Sequence, residues 1–231
     1  MESEVREYYD EQYQTRGLKA QRMYPNEDLI RFMARYFDRE DKKDIKVLEV
    51  GCGSGANLWM LAKEGFATYG MDGSVPSLDI AKHHLQDKWH LDATLAEGSF
   101  EQIPFPDEMF DIIVDVVSLE VTDLDLMHRS LMEIYKKLKF WGVFYSYRLG
   151  DHSVMYLNGQ NEYIDPVTVT SIKDPSMPLA GNPKLSFWSP SLVRIEYEKA
   201  GLQVEEIERH TRTYQNGAQT VEYLSIVSRK A

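Results

Sequence analysis

Cysteine is nearly missing from this chain. Of its 231 residues only Cys52 carries a thiol, so no intramolecular disulfide can form and no cysteine cluster can hold a metal. Long apolar runs are missing too: none approaches the ~20 residues that a membrane span needs. The start, Met1-Glu2-Ser3-Glu4, is acidic and polar, without the basic-then-apolar order of a signal peptide. A soluble cytoplasmic protein is therefore expected. Basic residues are in short supply, with 26 Lys and Arg against 37 Asp and Glu and a formal net charge of -11. Nucleic-acid binding depends on Lys and Arg neutralising phosphates, so no nucleic-acid partner is expected. No His-x-x-x-His pair or knot of carboxylates points to a metal. His83, His84 and His90 lie on or near one helix, but adjacent helical side chains diverge, so they read as solvated rather than as shared ligands. No internal repeat or low-complexity segment is present.

What is present is enough apolar material for a core, 43% of the residues, in a length that suits one α/β domain with an insertion or a small lid. The chain is organised around Val47-Leu48-Glu49-Val50-Gly51-Cys52-Gly53-Ser54-Gly55-Ala56-Asn57-Leu58. An apolar, β-branched run from Ile45 to Val50 has the length of a buried strand. Glycines at 51, 53 and 55 follow, and then a helical pattern with Leu58, Leu61 and Ala62 on one face. Strand, glycine turn and helix set backbone N–H groups and a helix start beside a ligand. Position 56 is Ala where a dinucleotide fingerprint ends in Gly; that variant is tolerated, so the turn alone does not exclude a nicotinamide dinucleotide. Glu49 argues against one, since a carboxylate beside the first glycine repels a pyrophosphate and suits a ligand bearing an ammonium or sulfonium cation.

Glu49-x-Gly51-x-Gly53-x-Gly55 resembles the first motif of class I S-adenosylmethionine-dependent methyltransferases, of the UbiE-like small-molecule type. The likeness runs on to about residue 145. It implies a Rossmann-like α/β fold: a doubly wound, seven-stranded sheet, mostly parallel with the last strand antiparallel, helices on both faces and an insertion over the substrate. It also implies S-adenosyl-L-methionine as cofactor and a small-molecule acceptor. Asp72 closes the second strand, Phe66 to Met71, about 20 residues past the glycine turn, where a carboxylate accepts both hydroxyls of a ribose. Asp72-Gly73-Ser74 thus resembles the family's ribose motif, with a turn or cap aspartate as the plainer alternative. Ser74 and Pro76 also suit the start of a helix over Ser77 to Gln86.

In the family, residues after the third strand flank the adenine; here the matching pair is Ser99 and Phe100, in place of the commoner Asp and apolar residue. Phe100 as ordinary core is the competing reading. The run Ile103-Pro104-Phe105-Pro106-Asp107-Glu108-Met109-Phe110-Asp111 through Glu120 is the second match, a Pro-rich turn leading into an apolar central strand. Asp115 and Val116 fall at its carboxyl end, where open α/β sheets bind ligands; backbone near Val116 is expected beside the methionine part of the cofactor, and Asp115 either there or as a loop anchor. Lys139-Phe140-Trp141-Gly142 replaces the family's Lys-Pro-Gly-Gly, so that turn must differ.

The layout expected is a helical N-terminal cover at 1–40, in which Val5, Tyr8, Tyr9 and Tyr13 form an apolar face or a lid, a cofactor-binding core at 45–146, an acceptor-site insertion at 147–189 that includes Gly159, and a C-terminal helix and strand pair at 190–231. Methyl transfer from a sulfonium is an in-line displacement in which the protein mainly aligns the acceptor and excludes water. Where the acceptor must lose a proton, His152, Asp151 and Tyr156 are the candidate bases, because they sit in the segment expected above the methyl group. The acceptor atom is left open. A non-enzymatic protein that kept the fold is the alternative, and the assembly is either a monomer or a homodimer.

Overall fold

A computed structural model describes residues 3–38, 41–158 and 161–231; Met1, Glu2 and Gly159 from the readings above lie outside them. In chain order the elements are α1 (Ser3–Arg16), α2 (Glu27–Tyr36), β1 (Lys46–Val50), α3 (Leu58–Lys63), β2 (Ala67–Asp72), α4 (Val75–His83), β3 (Thr94–Glu97), β4 (Phe110–Val116), α5 (Leu124–Lys137), β5 (Leu138–Leu149), α6 (Val154–Leu157), β6 (Thr168–Thr170), β7 (Lys184–Ser186), α7 (Pro190–Lys199), β8 (Leu202–Tyr214) and β9 (Gln219–Lys230). Helix starts follow their caps. Side chains of Asn26, Ser74, Asp123 and Ser189 accept from the backbone N–H three residues on, satisfying donors that a first turn leaves open.

Seven strands form one sheet in the order β3-β2-β1-β4-β5-β9-β8. β3, β2, β1, β4 and β5 are parallel neighbours, and β9 runs antiparallel to both β5 and β8. Strand order therefore reverses between β1 and β4, and the crevice at their carboxyl ends is where such sheets bind ligands.

The alternating side chains of β4 explain the two layers. Phe110 and Ile113 face α5 and α7 in one core with Met127, Leu131 and Tyr197. Ile112 and Val114 face α2 and α3 in the other, with Leu29, Phe32 and Leu61. Each such fully buried side chain contributes roughly 1.5–3 kcal/mol, so the site rests on a stiff platform. Residues 147–189 have a third, smaller core of Leu149, Met155, Val169, Leu185 and Phe187, over which β6 and β7 pair.

Two local expectations need correction. α4 starts at Val75, not Ser77, and continues as a π-turn over His84–Lys88. That extra residue per turn rotates His84 inward, where it is buried and accepts from Trp89 Nε1 at 3.0 Å; it is not solvated. His83 does face water and meets Asp87. The 139–142 turn is built by Trp141 at φ +63°, which slips the β4–β5 register between Phe110 and Ile112 and leaves Phe140 and Trp141 exposed. No helix among the described residues is long and apolar enough to cross a membrane.

Candidate active site

The chain leaves β1 through Gly51 at φ +68°. A Cβ there would stand 2.3 Å from Ser118 Cβ, and one on Gly53 would stand 2.1 Å from Gln21 Oε1. The glycines thus admit close approach, but the groups that approach are the protein's own. Asp72, at the end of β2, clamps the turn from the other side: Gly53 N donates to its Oδ2 at 2.8 Å and Ser74 N to its Oδ1 at 2.9 Å. Burial raises its pKa, and those backbone donors oppose the rise.

A cavity of about 450 Å³ opens here, between the carboxyl ends of β1, β2 and β4 and the cover above them. Gly51, Asp72, Gly73, Ser99, Phe100 and Val116 line it. The cover is α1, which contributes Tyr8, Tyr9, Gln12, Tyr13 and Arg16, the following Gln21 and Arg22, and the loop that carries Leu179 and Asn182. Polar contacts tie its parts to one another and to the sheet. Tyr9 OH donates to Asn182 Oδ1 at 2.9 Å, Ser54 N donates to Gln21 Oε1 at 2.9 Å, and Arg6 Nη2 meets Glu97 Oε1 at 2.7 Å.

The other expected cofactor residues stand behind the wall rather than in it. Glu49 is 1% exposed. Asn57 Nδ2 donates to its Oε1 at 2.5 Å, and Asn57 Oδ1 in turn accepts from Asn26 N at 2.8 Å. Burial pushes Glu49 up to about 8 against the pull of Asn57 and Arg22, and the carboxyl is closed off by its neighbours rather than open as the sequence suggests. Its Oε2 is buried without a partner. Asp115 anchors the loop after β4: Ser118 N and Leu119 N donate to Oδ1, and Ser146 Oγ donates to Oδ2 at 2.7 Å. Ser74 is the buried cap of α4, and Gly55 packs on Ala81.

The candidate bases are not in the cavity. β5 stays paired with β9 as far as Leu149 opposite Tyr223, and the chain turns away at Gly150. His152 therefore lands beside β9, its side chain 59% exposed, with Nδ1 3.3 Å from Glu222 Oε1 and 3.5 Å from Asp151 Oδ1. Tyr156 OH donates to Pro166 O at 2.8 Å. Asp151, His152 and Glu222 could converge on a cation, but Arg209 Nη1 already lies 3.1 Å from His152 Nδ1 and 3.3 Å from Glu222 Oε2. Gln21 and Arg22 are site residues that no sequence signal marked, since lone polar residues in irregular backbone have no period or motif; within the insertion expected over the site, Leu179, Ala180 and Asn182 are the residues that reach it.

The family described as "Methyltransferase domain" matches residues 47–142, from β1 into β5. Residues 47–142 thus resemble a methyltransferase domain. Among curated relatives, O-methyltransferase 3 of Dictyostelium discoideum is 30% identical over 112 residues, covering 46% of this chain and 26% of that protein. A ubiquinone biosynthesis O-methyltransferase of Pelagibacter ubique is 28% identical over 117 residues, covering 49% and 47%. The chain thus spans from a quarter to about half the length of these relatives. A solved S-adenosylmethionine-dependent methyltransferase from Methanosarcina mazei superposes with a TM-score of 0.72 at 17% identity, over 86% of this chain and 96% of that one. The methyltransferase fold also extends to a [4+2]-cyclase, with a TM-score of 0.64 at 15% identity over 88% and 80%.

Proposed function

We propose that this protein transfers a methyl group from S-adenosylmethionine to a small-molecule acceptor bound between the sheet and the α1 cover. The observation that carries the reading is Asp72: a carboxylate at the end of β2, held by the glycine turn, with its face on a cavity at the strand-order reversal. The residues present fit the cofactor. Asp72 would accept the ribose hydroxyls, Ser99 and Phe100 would flank the adenine, and backbone at Gly51 and Val116 would border the amino-acid end. Arg22 completes the set, because its Nε and Nη2 are buried without partners at a cavity wall and a carboxylate would satisfy them.

When bound, the cofactor supplies an electrophilic methyl group and its own leaving group. The chain's residues align the acceptor and exclude water, with Tyr9, Tyr13 and Leu179 as roof. Residues 1–40 and 147–189 then act as the cover and 45–146 as the cofactor core. The alternative is other chemistry, or none, on the same fold.

Calorimetry with S-adenosylmethionine is the test. The wild-type chain should bind it, and Asp72→Ala should weaken binding by roughly 30-fold or more, since two charge-assisted hydrogen bonds are lost. Asp72→Asn, which keeps one acceptor oxygen for the turn, should weaken it less. Equal affinity in all three overturns the reading. Release of S-adenosylhomocysteine with a metabolite extract then separates transfer from mere binding.

A further inference from the structure

The acceptor's chemical class can be read from what the cavity wall holds and lacks. Among the described residues, no His, Lys, Cys or Glu lines it. Its one carboxylate, Asp72, is committed to Gly53 N and Ser74 N. The tyrosines there are poor bases, since burial raises Tyr9 and Tyr13 far above their ordinary range. Glu49 and Glu120 are sealed behind the wall at 1% and 0% exposure, and Asp151 and His152 face another side of the molecule. Nothing is therefore placed to take a proton from a neutral hydroxyl. Charge points the same way. In a chain of net charge -11, this cavity sets Arg16 and Arg22 against Asp72. Arg22 sits towards Glu49, at the amino-acid end. Arg16 stands at the mouth on the last turn of α1, with one nitrogen given to Gln12 Oε1. Beside it, Tyr8 and Tyr9 set their rings edge to face at 5.2 Å.

We propose that the acceptor is a small ring-bearing molecule whose reacting atom arrives as an anion, a thiolate or a carboxylate, drawn in by Arg16 and packed on Tyr8 and Tyr9. This rests on the methyltransferase reading above. The step balances without a base: the anion's lone pair forms the new bond to the methyl carbon, the old carbon–sulfonium bond breaks with its pair left on the cofactor sulfur, and no proton moves. Arg16 is here a positioning residue, acting through charge and orientation.

The test uses the full chain saturated with S-adenosylhomocysteine. Equilibrium binding is measured for two pairs of probes at pH 8, benzoate against benzamide and thiophenolate against phenol. The expected result is that at least one anion binds about 10- to 100-fold tighter than its neutral counterpart and that Arg16→Gln removes the difference; the pair that discriminates names the nucleophile. Equal binding within both pairs, no binding of any probe, or a preference that survives Arg16→Gln overturns the proposal. With S-adenosylmethionine in place of the product, methylation of phenol as fast as of thiophenolate also overturns it. Failure of the cofactor itself to bind defeats the methyltransferase reading instead, so the two failures are distinguishable.

Discussion

Two of the segments that border the cleft obey different rules. Residues 45–146 place each site group by local geometry on stiff strands: Gly51 directly follows β1, Asp72 ends β2, and Val116 ends β4. Residues 147–189 have their own small core and, among the described residues, reach the cleft at Leu179, Ala180 and Asn182, while Asp151 and His152 do not line it. In the first segment position along a strand determines function. In the second, chemistry-bearing residues can sit tens of positions from the place their neighbours touch the site. The variants below sharpen that contrast, beginning with the largest effect.

Glu49 shows how far the strand-end platform can hold a group out of its ordinary state. Its folded pKa of about 8 lies above the unfolded value, so on raising the pH the unfolded chain loses this proton first. Stability from Glu49 is thus full at low pH and is lost as pH rises towards 8, by at most about 1.4 kcal/mol per pH unit. Glu49→Gln keeps an acceptor for Asn57 Nδ2 and removes the ionisation. Urea unfolding of both proteins at pH 5, 6.5 and 8 should give curves that diverge steadily, with the variant ahead by a few kcal/mol at pH 8. Parallel curves would mean that Arg22 keeps Glu49 ionised.

How much of this was legible beforehand follows the same division. The β1–glycine turn–α3 unit is visible because strand length, glycine spacing and helical period are all local properties. Asp72 is visible because parallel strands of similar length return the chain to the same edge after about 20 residues. The state of Glu49 is not visible, since it follows from burial under groups distant in sequence, against which Asn57 and Arg22 pull. Arg22 and Gln21 have no pattern around them at all. The placing of His152 fails for a topological reason: β5 continues to Leu149 before turning, and nothing in the composition of residues 143–152 tells where pairing with β9 stops.

The α1 cover is latched to the 147–189 insertion by Tyr9 OH, which donates to Asn182 Oδ1. Tyr9→Phe keeps the ring and removes the bond, which is worth about 1 kcal/mol. The expected outcome is a roughly fivefold loss of hydrogen-exchange protection in α1 with little change in β1 and β4, because the latch is local while the strands report global unfolding. Equal loss in both regions would mean that the cover and the platform unfold as one unit.

The smallest effect is expected where the sequence pointed most directly to a base. His152 lies 3.3 Å from Glu222 and beside Arg209, and it does not line the cavity. Glu222 keeps Arg209 when the imidazole is removed, so no buried charge is left alone, and exposed pairs of this kind contribute about 0–1 kcal/mol. His152→Ala should leave the rate of S-adenosylhomocysteine release within about twofold of wild type at every pH tested. A drop of a hundredfold, with a pH profile that loses an inflection near the histidine range, would instead require residues 147–158 to swing over the cleft during turnover, and the contrast between platform and insertion would have to be redrawn.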